Sequence, residues 1–240
     1  MGEPELKRMT PEAFLVWQQD QEQNFELVDG LPVLPLKAMT GATHAHDRVT
    51  VNLLRELSVQ LRRKRCQPAT DDIALRIPNG NIRRPDVMVE RGPIDLTGTA
   101  AVEPKLVAEV LSPSTMNLDR FRKLEEYKTV PSLAYILLLD TTRPQITLYV
   151  REGTQWMRTH DELGAVIELP EIGCRLASVD LFLRGSPVSR AGRLNPPAPR
   201  RARPCRSRAR RARRAAGSRR TPRRAPPSAR SGDGRARAIS

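Results

Sequence analysis

Cysteine is almost missing from this sequence. Cys66, Cys174 and Cys205 are the only three, an odd number without a C-x-x-C pair. That count argues against a disulfide framework and against a structural zinc knuckle, and a reducing cytoplasm is the expected compartment. Long apolar runs are lacking too. The longest, Leu133-Ala-Tyr-Ile-Leu-Leu-Leu139, falls far short of the roughly 18–20 residues needed to span a bilayer. The N-terminus opens MGEPELKRMTPEAF, with early acids and no apolar core of a leader. Neither secretion nor a membrane partner is expected. Aromatic residues make up only 4% of the chain, and no G-x-x-x-x-G-K phosphate loop occurs.

What is abundant is arginine, unevenly placed. The net charge is +14, from 41 Lys plus Arg against 27 Asp plus Glu. Residues 190–240 hold 18 Arg, no Lys and one acid, Asp233, for a charge of +17, which leaves residues 1–189 at −3. Of those last 51 residues, 45 are Arg, Ala, Pro, Gly or Ser, a composition that buries too little apolar area to offset the entropy of ordering. The expected division is a globular domain over 1–189 and a disordered basic tail over 190–240. Arg210, Arg211, Arg213 and Arg214 would displace counterions from phosphates and bind nucleic acid without sequence preference. No aromatic is there to stack on bases. The same five residue types are encoded by GC-rich codons, so an extended or out-of-frame reading of GC-rich DNA yields a similar tail. Both origins stay open.

Within 1–189 the patterning mixes two periods. Thr10-Pro-Glu-Ala-Phe14 starts a helix, with Thr10 as cap and Pro11 in its first turn. Asp29-Gly30 between two apolar stretches predicts a hairpin. Val49, Leu53, Leu54, Leu57 and Leu61 have helical spacing, which predicts a helix over 43–65 with Arg55, Arg62, Arg63 and Lys64 on its other face. Strands are predicted over 72–78, ending at the turn Pro78-Asn79-Gly80, and over 84–90, 105–111, 133–139, 145–151, 156–158 and 165–169. The strand over 105–111 is almost continuously apolar and so central. A helix over 117–128 should direct Leu118, Phe121 and Leu124 inward. Val179-Asp-Leu-Phe182 closes the domain. This alternation predicts a single α/β or α+β domain.

Two buried strands carry an acid among apolar residues: Asp86 in Arg84-Pro-Asp-Val and Glu109 in Val107-Ala-Glu-Val-Leu111. A carboxylate in an otherwise apolar strand is costly to desolvate without a positive partner. On neighbouring strands the two would converge and repel by about 4 kcal/mol at 4 Å and an effective dielectric near 20. One would then stay protonated or a cation would lie between them, and Mg²⁺ suits two carboxylates and retained waters. Structural alternatives exist for each: Asp86 as a strand cap or partner of Arg83 or Arg84, and Glu109 as partner of a buried arginine. Lys123 is the third candidate, with an i,i+4 surface pair to Asp119 as its alternative. His44 and His46 form an H-x-H with no third ligand at motif spacing, and His46 is expected in a structural hydrogen bond. Ser112 and Ser114 lack a histidine partner. Trp17, Trp156 and Tyr149 read as core or rim.

Arg84-Pro-Asp-Val-Met-Val, Leu106-Val-Ala-Glu-Val-Leu-Ser-Pro-Ser-Thr115 and Asp119-Arg-Phe-Arg-Lys123, with Tyr127 four residues later, resemble the Uma-two family of restriction-endonuclease-like proteins, within the PD-(D/E)xK superfamily. Thr10-Pro-Glu-Ala-Phe14, Phe25-Glu-Leu-Val-Asp-Gly30, His46-Asp-Arg-Val49, Leu169-Pro-Glu-Ile-Gly173 and Asp180-Leu-Phe182 are similar to its other blocks. The likeness spans about residues 9–184 and omits the tail. It implies an α/β fold, with a mixed central sheet flanked by helices and a site where two strands diverge. Asp86 matches the family's PD aspartate and Glu109 the acid of (D/E)xK. Leu111 stands at the usual lysine position, and the resemblance transfers that role to Lys123 on the following helix. Glu26 matches an N-terminal acid that assists the metal. The family's aromatic pair after Val-Pro is Leu133-Ala134-Tyr135 here.

The resemblance implies a Mg²⁺-dependent endonuclease acting on DNA, with Mn²⁺ as a substitute metal. Asp86, Glu109 and the Val110 carbonyl would hold the ion, and Lys123 would orient water or offset charge on the transition state. Restriction-like folds commonly act as homodimers, although no residue pattern here marks an interface. Two other functions remain open: a non-catalytic nucleic-acid-binding protein that uses the Arg tail, and an inactive, degenerate nuclease.

Overall fold

The computed structural model describes residues 8–35, 41–111 and 118–183. The basic tail, with Arg210, Arg211, Arg213 and Arg214, lies outside them, as do Ser112 and Ser114. The chain begins with helix α1 (Pro11–Gln18), where the Thr10 hydroxyl accepts from the Ala13 N–H at 3.2 Å. A tight hairpin follows, β1 (Glu26–Val28) and β2 (Leu31–Val33). Asp29 and Gly30 both take positive φ, 51° and 80°, the backbone that two-residue hairpin turns require.

Helix α2 (His44–Leu61) starts at Thr43, whose hydroxyl accepts from the His46 N–H at 3.2 Å. It stops four residues before the expected 65. Arg63 at φ 66° turns the chain into β3 (Cys66–Thr70). Sequence patterning did not reveal this strand because Pro68 interrupts it. Among the described residues its one partner strand is β6 (Val87–Arg91), and on such an edge a proline without a donor is tolerated. The strand expected over 72–78 contracts to β4 (Leu75–Arg76), paired with β5 (Ile82–Arg83) across the Pro78-Asn79-Gly80 turn.

The remaining elements are β7 (Pro104–Leu111), α3 (Leu118–Thr129), β8 (Tyr135–Asp140), β9 (Gln145–Glu152), β10 (Gln155–Glu162), β11 (Val166–Leu169), β12 (Cys174–Ala177) and α4 (Ser178–Phe182). They build the α/β architecture expected, a mixed central sheet flanked by helices. Six strands form that sheet in the order β10-β9-β8-β7-β6-β3, with β7 and β8 parallel and every other neighbouring pair antiparallel. The parallel pair is joined through α3, as parallel strands need a crossover. A smaller antiparallel sheet, β2-β1-β5-β4, packs with α1 around Phe14, Leu15, Leu27 and Ile82.

Alternation along β7 sorts the core into two layers. Leu106, Ala108 and Val110 join Val49, Leu53, Leu57 and Leu61 of α2 on one face. Val107 and Leu111 join Leu124, Tyr127 and Val130 on the other. Glu109 has the parity of the second layer, so α3 is the element that must meet it. Phe121, expected inward, is 67% exposed. The helix is phased instead by Leu124, Glu126 and Tyr127, which are all buried. Cys66 and Cys174 are buried free thiols, and no helix among the described residues is long and apolar enough to cross a membrane.

Removing side chain from the central strand should therefore cost much more than removing it from the outer face of α3. Leu137 is fully buried, and Leu137→Ala is expected to lower unfolding free energy by about 2–5 kcal/mol. Phe121→Ala should change it by less than about 0.5 kcal/mol. Urea unfolding of both variants checks the pair.

Candidate active site

Strands β6 and β7 pair from Glu90 opposite Pro104 down to Val87 opposite Ala108, where the ladder ends. Strand β7 continues beside β8 as far as Leu111 opposite Asp140. Asp86 sits where β6 leaves the ladder, and its Oδ2 accepts from the Val110 N–H at 2.8 Å. A side chain thus takes over where strand pairing stops. The Asp86 carboxylate is fixed one residue along β7 from Glu109, at the divergence of two strands. Its side chain is 4% exposed.

The Val110 carbonyl opens toward the same gap. In an extended strand the N–H and C=O of one residue leave by the same edge. The carbonyls of Lys105 and Leu111 accept from Ala134 and Thr141 on the β8 side, so the alternation turns Val110 the other way, toward Asp86.

Glu109 is met from α3. The Tyr127 hydroxyl donates to its Oε1, and Lys123 Nζ lies 4.0 Å from that oxygen. The same ammonium donates to Glu26 Oε1 at 2.8 Å. Glu26, on β1, also accepts the Arg84 N–H at 3.1 Å through Oε1 and Arg83 Nη1 at 2.9 Å through Oε2. Arg83, on β5, is 1% exposed and donates from Nε to Glu126 Oε2 at 2.6 Å. Asn81 and Arg122 donate to the other Glu126 oxygen at 2.8 and 3.0 Å. Buried Glu26, Arg83 and Glu126 and half-buried Lys123 form a set with two charges of each sign, and it ties the small sheet to α3.

Titration follows this packing. Burial pushes the Glu26 carboxyl up, but the Lys123 charge, followed by the Arg83 charge, outweighs it and holds Glu26 below its ordinary value. Burial also raises Glu126, and there the Arg83 hydrogen bond and charge prevail and lower it. Tyr127 goes the opposite way. Burial, then the charges of Glu109 and Glu26, drive its phenol well above the ordinary tyrosine range, so it stays protonated and donating.

Arg84 donates to the carbonyls of Phe25, Asp71 and Asp72, and Arg83 binds Glu26 and Glu126. Around Glu109 the described contacts include the Tyr127 hydroxyl and the Lys123 ammonium. Lys123 reaches inward to Glu26 and Glu109, while the side chain of Asp119, its alternative partner, lies outside the described residues. His44 is exposed and His46 buried, on different sides of α2, so the H-x-H does not converge. Trp156 and Tyr149 pack at the rim of the core, with Arg151 over the indole and Lys128 over the phenol ring.

The donor set bears on which ion could fit. No group of three or more His, Cys, Asp or Glu side chains among the described residues converges for a metal. Two carboxylates and a main-chain carbonyl form an all-oxygen, low-count set. That is the kind Mg²⁺ accepts while keeping most of its waters, unlike zinc, which takes nitrogen and sulfur ligands.

The sequence offers Arg83 only as a partner for Asp86 and Tyr127 only within the family motif, and it does not single out Glu126. The signal was the pair Arg83-Arg84 entering a buried strand, which requires carboxylates from elsewhere in the fold. Two outcomes follow. Arg83→Met leaves Glu26 and Glu126 buried without their shared guanidinium and should cost about 3–5 kcal/mol in urea unfolding. Glu26 and Glu126 bind protons more weakly folded than unfolded. Their contribution is therefore complete above the ordinary carboxyl value of 4.5 and is lost as pH falls through their lower folded values. Unfolding free energy measured from pH 7 to pH 3 should fall on acidification, and Glu26→Gln should make that fall shallower.

Comparison with known proteins agrees with this architecture. Residues 11–177 match the family model Uma2, described as "Putative restriction endonuclease". The uncharacterized protein slr1290 of Synechocystis sp. is 33% identical over 181 residues, covering 74% of this chain and 93% of that protein. A second uncharacterized Synechocystis protein, sll1609, is 30% identical over 158 residues, covering 64% and 87%. Among solved structures, a "putative nuclease belonging to DUF820" from Anabaena variabilis superposes with a TM-score of 0.58 at 18% identity, covering 72% of this chain and 97% of its own. The fold is thus shared with a solved protein, and the chain belongs to the Uma2 family.

Proposed function

We propose that this protein is a metal-dependent endonuclease that hydrolyses DNA phosphodiester bonds, with residues 1–189 as its nuclease domain. The observation that carries the reading is the meeting, at one strand divergence, of Asp86, Glu109 and a lysine held between Glu109 and Glu26. The family's description and the solved relative's title, both naming nucleases, support it.

Asp86, Glu109 and the Val110 carbonyl are the residues that would hold Mg²⁺, or Mn²⁺ in its place. When bound there, the ion supplies polarisation of a phosphodiester oxygen and acidification of a water ligand. The chain's own residues do the rest. Tyr127 donates to Glu109 and fixes its rotamer. Lys123 brings a positive charge beside Glu109, where it can orient the attacking water and offset negative charge that grows on the phosphoryl oxygens. Glu26 has both oxygens engaged by Lys123, Arg84 and Arg83, so its role is to hold the lysine rather than to contact the ion.

A second reading, a nucleic-acid-binding protein without catalysis, draws on the +17 charge of residues 190–240. Nicking of supercoiled plasmid in Mg²⁺ or Mn²⁺ separates the two. The full chain should nick. Asp86→Ala should lose more than the about 10–100-fold that removal of an outer-shell partner costs. Lys123→Met should lose about 10²–10³-fold while retaining metal affinity, as expected for one transition-state donor. A wild-type protein that is inert on duplex and single-stranded DNA, yet binds both in a salt-sensitive manner that vanishes without the tail, would replace the first reading with the second.

A further inference from the structure

We infer that His46 is a positioning residue for Asp86, one that sets the orientation of the carboxylate offered to the metal. The inference rests on the nuclease reading of the same site. His46 Nε2 lies 3.4 Å from Asp86 Oδ2, and the two side chains are 9% and 4% exposed. The oxygen it faces is the one that accepts the Val110 N–H at 2.8 Å. Two groups from different elements therefore converge on Oδ2, one from α2 and one from β7. With its proton on Nε2 the ring donates to that oxygen. Together with the main-chain N–H it restricts rotation of the carboxylate about its last bond, which decides where the remaining oxygen points.

The imidazole is itself anchored. Its residue lies in the first turn of α2, where the Thr43 hydroxyl accepts the His46 N–H at 3.2 Å. The helix below is secured by the fully buried Leu53 and Leu57 and by Asn52, which donates to the Leu181 carbonyl at 3.0 Å. A ring on so fixed a base can impose an orientation on a neighbour. His46 and Asp86 also border a cleft of about 300 Å³, together with Thr50 and Arg84, so the pair adjoins space that solutes can enter. A contact of 3.4 Å is long for a hydrogen bond, and it is expected to shorten when Asp86 engages the metal. The alternative role of metal ligand is disfavoured, because no third His, Cys, Asp or Glu converges with this pair among the described residues. Outer partners that orient a ligating group typically account for 10–100-fold in affinity.

The test is Mn²⁺ binding by calorimetry to the full chain, alongside Asp86→Asn as the reference for loss of the site. His46→Leu keeps apolar bulk and removes the donor, and should weaken Mn²⁺ by about 10–100-fold. His46→Gln can place an N–H near the position of Nε2 and should restore most of the affinity. His46→Asn, too short to do so, should not. That pattern of rescue distinguishes positioning from a packing role, and His46→Asn serves if the leucine variant does not fold. Mn²⁺ affinity within about two-fold of wild type in both His46→Leu and His46→Asn would overturn the inference and leave the metal site standing. A wild-type chain with no Asp86-dependent Mn²⁺ binding would overturn this inference and the metal reading together.

Discussion

The guanidinium of Arg83 is the interaction on which the rest of the site depends. It is almost fully buried and binds Glu26 on one side and Glu126 on the other. A single buried arginine or carboxylate would be strongly unfavourable. Here each charge is brought in with its partner, and the partners come from β1, β5 and α3. The small sheet and the helix can close over the main sheet only in the arrangement that satisfies all of them. The same requirement sets the phase of α3. Glu126 and Tyr127 turn inward, Lys123 follows one residue before Leu124, and Phe121 is carried to the outer surface.

This network gives the lysine its place. In the (D/E)xK pattern that this strand resembles, a lysine stands two residues after the acid. That position is Leu111 here, packed in the layer that faces α3. A lysine arriving from a helix has a long, mobile side chain, and something must direct it. Glu26 does so at 2.8 Å, and Glu26 is in turn immobilised by Arg83 and the Arg84 N–H. The ammonium is thereby set beside Glu109 instead of being left to search solvent. Tyr127 constrains Glu109 in the same way. Burial and the charges of Glu109 and Glu26 raise its titration well above the ordinary tyrosine range, so it is a donor at neutral pH.

Much of this was legible in the sequence, and what was hidden has a common cause. The Asp29-Gly30 hairpin, the Thr10 cap, the apolar strand of Glu109 and the helix carrying Lys123 were all readable, because each is written in residues close along the chain. Asp86 and Glu109 stood out as acids with apolar neighbours in their strands. Strand β3 did not, because Pro68 argues against a strand unless one knows it lies on an edge. Phe121 was assigned inward because hydrophobicity was the only guide to helix phase, whereas buried charges from β1 and β5 decide it. Arg83, Glu126 and Tyr127 take their significance from partners 18 to 57 residues away, a separation that local patterning does not encode. His46 is a parallel case, since its contact with Asp86 joins two elements 40 residues apart.

Whether Glu26 acts through Lys123 is tested most directly by a double-mutant cycle on single-turnover plasmid cleavage. Glu26→Gln, Lys123→Met and the double variant would be compared at saturating Mn²⁺, with each shown to be folded. If Glu26 serves to hold the lysine, its substitution slows cleavage in the presence of Lys123 and has little further effect once Lys123 is gone, so the double variant cleaves about as fast as Lys123→Met alone. Independent losses that multiply in the double variant would contradict the account and show that Glu26 contributes by another route.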